Sequence, residues 1–130
     1  MRIMLDTNVL ISMMIFKSFN AVIDKITQKH SIVLCSYVID ELHEVIERKF
    51  PNKQKDIEKF LMKLPFELVY TPKMIEEHDL FKIRDVDDEK VLYSAIIADV
   101  DILLTGDKDF SDIEIEKPEI LTPSAFLEKY

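Results

Sequence analysis

Short apolar runs recur along the chain, each closed by polar residues, and the stretches between them carry apolar positions at helical spacing. Arg2-Ile3-Met4-Leu5, closed by Asp6-Thr7-Asn8, predicts a buried strand that ends in turn or helix-start chemistry. Val9 to Phe16 is apolar almost throughout, and Ala21, Val22 and Ile26 space a helix over Asn20 to Lys29. Ser31 to Cys35 reads as a second buried strand. Ser36 is then expected to cap a helix with Val38, Ile39, Leu42, Val45 and Ile46 on one stripe and Pro51 at its end. Ile57, Phe60, Leu61 and Leu64 predict a further helix over Asn52 to Leu64, closed by Pro65.

The second half repeats the alternation. Phe66 to Tyr70 predicts a third strand, and Thr71-Pro72 offers the start of another helix. Val91, Leu92, Ala95 and Ile96 belong to a helix that opens on the acidic cluster Asp85, Asp87 and Asp88. Asp101 to Thr105 is a fourth strand with Gly106 to Phe110 as its turn, and Pro118 to Leu121 a short last strand. Thr122 caps the terminal helix with Pro123 at its favoured first position. Strands alternating with helices specify an α/β domain, a mostly parallel sheet of four or five strands covered on both faces. No repeat, low-complexity tract or dividing linker interrupts it, so residues 1–130 are expected to form one domain.

Composition narrows the chemistry. A single glycine, Gly106, excludes phosphate-binding loops and dinucleotide turns that need several. A single cysteine, Cys35, excludes an internal disulfide and a cysteine-built zinc site. Asp6 splits the N-terminal apolar run and no cleavage site follows, so no signal peptide is expected. The longest uncharged stretch, Thr7 to Phe16, is ten residues, half of the ~20 that a membrane helix requires. The expected location is the cytoplasm. The net charge of −8 argues at first against a partner gripped through its phosphates.

The placement of the acids changes that reading. Ligands of an open parallel sheet bind outside the carboxyl ends of its strands. Asp6 follows the first strand, Asp107 the fourth, Asp88 opens the helix feeding the fourth, and Glu41 lies in the first turns after the second. Taken singly, each is a cap, a turn former or a solvated helix charge. Together they converge on one edge, where carboxylates repel unless positive charge sits between them. An all-oxygen set favours Mg²⁺ or Mn²⁺ over zinc, and such an ion promotes displacement at phosphorus.

Four segments carry a family resemblance. Leu5-Asp6-Thr7-Asn8-Val9-Leu10-Ile11-Ser12 resembles the opening motif of the PIN-domain nucleases, whose aspartate binds metal with support from the polar residues after it. Asp40-Glu41-Leu42-His43-Glu44-Val45 is similar to the second acidic motif, Arg84 to Leu92 to the third, and Leu104-Thr105-Gly106-Asp107-Lys108-Asp109-Phe110 to the fourth. The likeness extends from residue 3 to about residue 127, with the first and fourth motifs the most specific. It implies a three-layer α/β/α sandwich and a metal-dependent endoribonuclease. Many small members are VapC-like toxins of toxin–antitoxin pairs, inhibited by a partner peptide over the acidic pocket; others process ribosomal RNA.

The resemblance assigns Asp6, Glu41, Asp88 and Asp107 to one or two Mg²⁺ or Mn²⁺ ions, with Thr7, Asn8 and Thr105 in support. The ion would activate water against a phosphodiester and stabilise the leaving 3′ oxygen. In the third motif the family's acid lies seven residues before a small helical residue, pairing Asp88 with Ala95; two helical turns put both on one face. Asp85 is the second choice, and Asp87 suits capping. His30, His43 and His78 are scattered and supply no base.

Charge is also uneven. Residues 1–73 hold 11 bases and 9 acids, and residues 74–130 hold 6 and 16. Candidate RNA contacts are Lys53, Lys55 and Lys59, in a basic stretch otherwise read as a solvated helix face, and Arg84, Lys90 and Lys108 nearer the acids. An antitoxin protein and a homodimer, the latter through the apolar Val9–Phe16 stretch, are the expected partners; that stretch also suits a plain buried helix. A PIN-fold module that binds RNA or protein without turnover is the alternative. Aspartyl phosphotransfer is disfavoured, because Asn8 occupies the place of the second aspartate that a haloacid-dehalogenase site requires. Gly106 is expected to serve a close backbone approach or an unusual dihedral beside Asp107.

Overall fold

Apolar runs too short for helices and uniformly hydrophobic suit strands buried on both faces of a parallel sheet. A computed structural model, describing residues 1–16, 20–72, 86–110 and 113–130, shows these runs in that role. The strands are β1 (Arg2–Leu5), β2 (Ser31–Cys35), β3 (Phe66–Val69), β4 (Ile102–Leu104) and β5 (Glu119–Leu121). They form one sheet in the order β3-β2-β1-β4-β5, every neighbouring pair parallel. The register aligns Ile3 with Ile32 and Ile102, so the three central strands stack their apolar residues side by side. Ile3, Met4, Leu5, Val33, Leu34, Leu103 and Leu104 are fully buried. Each such side chain contributes about 1.5–3 kcal/mol relative to exposure.

Among the described residues, six α-helices cover the sheet: α1 (Thr7–Met14), α2 (Asn20–Lys29), α3 (Ser36–Lys49), α4 (Gln54–Lys63), α5 (Val86–Ile97) and α6 (Pro123–Lys129). Helix α3 packs against α1, α4 and α5, whereas α2 packs against α6, giving the α/β/α sandwich. Apolar residues recur three and four apart on α3, where Val38, Leu42 and Ile46 are buried. Thr122 caps α6 through a bond from the Ala125 N–H, as the Thr-Pro start predicts. No helix among the described residues is long and apolar enough to cross a membrane.

Several local expectations are corrected. Ser36 does not cap α3: Cys35 occupies the cap position without a side-chain bond, and Ser36 is the first helical residue. The stretch from Asn52 is not helical from its start, because Pro51–Lys53 forms a 3₁₀ turn before α4. The third, fourth and fifth strands are each one or two residues shorter than the apolar runs suggest. Thr71 and Pro72 are irregular, and any helix following them lies outside the described residues. Helix α1 keeps Val9, Leu10 and Met13 buried, leaving Phe16 beyond it exposed.

At the amino ends of the strands, Arg2 reaches across β2 to Glu67 in a two-point ion pair with contacts of 2.6 and 3.2 Å. The pair is substantially exposed and worth at most about 1 kcal/mol. The carboxyl ends are left to the acids.

Candidate active site

β1 ends at Leu5, and the next residue turns the chain into α1. Asp6 does this as the helix cap: its Oδ1 accepts the Thr7 N–H at 2.8 Å, and its carbonyl accepts the Leu10 N–H at 3.2 Å. Its own N–H bonds Leu104 of the adjacent strand at 3.0 Å. The Asp6 backbone is therefore fixed from both sides, its carboxylate takes one backbone N–H, and the residue is only 4% exposed. Its second oxygen, Oδ2, accepts the Thr105 hydroxyl at 2.7 Å.

Thr105 also accepts the Asp107 N–H at 3.0 Å. Asn8 accepts the Gly106 N–H at 3.1 Å, which ties the first turn of α1 to the turn after β4. Thr105, Gly106 and Asp107 are thus fixed against Asp6 and Asn8 by three side-chain bonds. Gly106 does not have the positive φ that would demand glycine. A Cβ there would meet Asn8 Oδ1 at 3.6 Å, ordinary contact, so neither expected reason for this glycine holds.

Electrostatics show which acids bear on Asp6. Burial pushes the Asp6 carboxyl from 3.8 up to about 6, against the pull of the Thr105 and Thr7 hydrogen bonds. The negative charges of Glu41 and Asp107 push it further in the same direction. Glu41, on the helix after β2, and Asp107, in the turn after β4, therefore both act on Asp6 at the end of β1. Glu41, in the second turn of α3, is half-buried and accepts the Tyr37 hydroxyl at 3.1 Å.

Asp88 lies in the first turn of α5 and is buried, as is Ala95 two turns on. Asp88 and Ala95 thus share the buried side of α5. Asp85 and Arg84 lie outside the described residues; Asp87 falls within α5 rather than before it. Of the basic candidates, Lys53, Lys55, Lys59 and Lys108 are exposed. Lys90 is half-buried, its ammonium 5.0 Å from the Tyr37 ring centre. His43 turns away to the Ile39 carbonyl, as its offset from Glu41 requires, and His78 lies outside the described residues.

The donor chemistry suits a hard divalent cation. Buried Asp6, destabilised by two nearby negative charges, is relieved by positive charge among them. The Thr7 hydroxyl beside it is buried with no hydrogen-bond partner among the described residues. Among the described residues, no group of three or more Asp, Glu, His or Cys side chains is gathered closely enough to hold a metal ion. Mg²⁺ accepts such an open site, because it keeps several waters and is bound through one or two carboxylates.

Four residues around this edge had no role in the sequence reading beyond a cap or helix position: Ser36, Tyr37, Thr71 and Ser94. Thr71 Oγ1 accepts the Tyr37 N–H at 3.1 Å and lies 3.1 Å from the Ser94 hydroxyl oxygen, while the Thr71 N–H donates to Ser36 Oγ at 3.0 Å. The Tyr37–Glu41 contact was accessible from i, i+4 spacing on a predicted helix. The Thr71 contacts join three separated segments and leave no local signal.

Comparison with known proteins bears on the family and the fold. The family model of the PIN domain matches residues 2–109. Among solved structures, a chain in the crystal structure of VapBC2 from Rickettsia felis, bound to a DNA fragment from their promoter, has a similar fold. The TM-score is 0.72 at 18% identity, covering 94% of this chain and 98% of that one. No curated protein matches the chain.

Proposed function

Because the chain belongs to the PIN-domain family, we propose that it is a metal-dependent endoribonuclease and the toxin of a toxin–antitoxin pair. The observation that supports the reading is the buried Asp6 carboxyl at the sheet edge, raised by burial and by the nearby negative charges of Glu41 and Asp107. PIN domains are a nuclease family, and the fold shared with a VapBC2 chain supports an antitoxin partner. A homodimer and a cytoplasmic location complete the proposal.

Asp6, Glu41, Asp88 and Asp107 would hold one or two Mg²⁺ or Mn²⁺ ions, with Asp85 the alternative in the third motif. A cation bound there supplies Lewis acidity at the phosphodiester and at the attacking water. The chain supplies the rest. Asp6 presents a carboxylate whose direction is set by Thr105 and the Thr7 N–H. Asn8 braces the Gly106 turn and so places Asp107. Thr7 offers an additional hydroxyl to ligand or water. Lys53, Lys55, Lys59, Lys90, Lys108 and Arg84 would supply positive charge to the RNA backbone around an otherwise acidic pocket.

The test is incubation of pooled RNA with Mg²⁺ or Mn²⁺, comparing the wild type with Asp6→Asn. Cleavage by the wild type that Asp6→Asn loses is expected. Equal cleavage by both rejects the site, and cleavage by neither favours a binding module.

A further inference from the structure

Glu41 is the one proposed ligand placed in mid-helix, so its direction is not set by a strand end or a turn. A glutamate on a half-exposed helix face has three side-chain torsions to order before it can serve a fixed site. The structure supplies the restraint. Tyr37 lies one turn earlier on α3, the spacing at which side chains meet, and its hydroxyl donates to Glu41 Oε2 at 3.1 Å.

Tyr37 is itself held from two other elements. Its N–H donates to Thr71 Oγ1 just beyond β3, at 3.1 Å. The Lys90 ammonium stands 5.0 Å from its ring centre, within the range of a cation–π contact. Lys90 is two residues from Asp88 on α5, and its carbonyl accepts the Ser94 hydroxyl at 2.7 Å. The Ser94 and Thr71 hydroxyl oxygens in turn stand 3.1 Å apart, within hydrogen-bond distance. A closed circuit of contacts therefore runs from Glu41 through Tyr37 to the helix that carries Asp88 and back through Thr71. α3 and α5 pack directly against each other, so this circuit sits where the two acid-bearing helices meet.

We propose that Tyr37 is a positioning residue for Glu41, with Lys90 and Thr71 holding the tyrosine so that the α3 and α5 carboxylates keep a fixed spacing. The proposal rests on the metal-site reading above. It also gives Lys90 a role distinct from RNA contact: its charge rests on the Tyr37 ring and acts on the site through that ring.

The experiment measures Mn²⁺ dissociation constants by calorimetry on the intact chain, with thermal melts as a folding control. Tyr37→Phe keeps the ring and removes only the hydroxyl. Loss of an outer contact to a metal ligand commonly weakens affinity ~10–100-fold, and about tenfold is expected here. In a Glu41→Gln background the same change is expected to have no further effect, because Tyr37 acts through Glu41. Lys90→Met is expected to weaken Mn²⁺ binding in the same direction by a smaller factor.

A folded Tyr37→Phe protein with wild-type Mn²⁺ affinity overturns the proposal, as does an effect that persists undiminished without Glu41. Should Tyr37→Phe fail to fold, wild-type Mn²⁺ affinity in Lys90→Met overturns it instead. Absence of Mn²⁺ binding by the wild type is a different failure: it removes the metal-site reading and this inference with it.

Discussion

The Thr105 hydroxyl donates to Asp6 Oδ2 at 2.7 Å while accepting the Asp107 N–H at 3.0 Å. One side chain thus orients the buried acid and anchors the backbone of a second. Thr105→Val keeps the shape and removes both bonds. Hydrogen bonds to charged groups contribute ~1.5–3 kcal/mol, so a loss of about 2 kcal/mol at pH 7.5 is expected in urea unfolding. Thr105→Ser retains the hydroxyl and is expected to lose less than half of that. A valine variant as stable as the wild type removes Thr105 from any orienting role.

Asp6 gives the site a pH dependence whose sign is fixed. Its carboxyl titrates near 6 when folded against 3.8 ordinarily, so between those values the folded chain binds more protons than the unfolded one. Stability therefore falls as pH rises through this window, and the full cost of the ionised acid is present above pH 6. The cost is of order 3 kcal/mol without a cation. Asp6→Asn is expected to melt higher than the wild type at pH 8 in chelator, with the gap closing at pH 4. Saturating Mn²⁺ is expected to raise the wild type selectively. A variant that melts lower than the wild type at pH 8 in chelator contradicts this account.

The central strands were readable because both faces of a parallel sheet are buried, which leaves a continuous apolar run at Ile3–Leu5, Ile32–Cys35 and Ile102–Leu104. Asp6 and Asp107 were readable because each directly follows or nearly follows such a run. The burial of Asp88 was legible from helical register, since Ala95 lies two turns away and is buried too. What failed was long-range. Ser36 has cap chemistry, yet its hydroxyl is engaged by the Thr71 N–H from another segment. The role of Tyr37 depends on Lys90, more than fifty positions away, and no local pattern encodes it.

The lone glycine illustrates a different gap. A single glycine in a turn invites a conformational explanation, but Gly106 has no positive φ and an added Cβ finds space. What the turn uses is its N–H, bonded to Asn8, which any residue except proline supplies. Gly106→Ala is therefore expected to leave stability unchanged or raise it by about 0.4–1 kcal/mol through a less flexible unfolded chain. Asn8→Ala is expected to destabilise. A loss above about 1 kcal/mol in Gly106→Ala denaturant melts would show a constraint that the turn geometry does not contain.

The basic positions around α4 decide whether RNA approaches from that side. Lys53, Lys55 and Lys59 are exposed, and among the described residues only Lys53 of the three forms an ion pair, with Asp56 at 3.8 Å. An exposed pair of that length holds a lysine weakly, so all three ammonium groups are available to phosphates. Replacing the three with glutamine is expected to leave folding within about 0.5 kcal/mol per site. Each single-strand phosphate contact contributes ~0.7 to the slope of log affinity against log salt. Loss of three contacts therefore predicts a slope shallower by about 2, together with weaker binding at low salt. The measurement is fluorescence anisotropy of labelled single-stranded RNA across salt concentrations, with Asp6→Asn as background so that cleavage does not intervene. An unchanged slope moves the RNA path off α4 and onto the Lys108 side of the pocket, where the same substitution test applies.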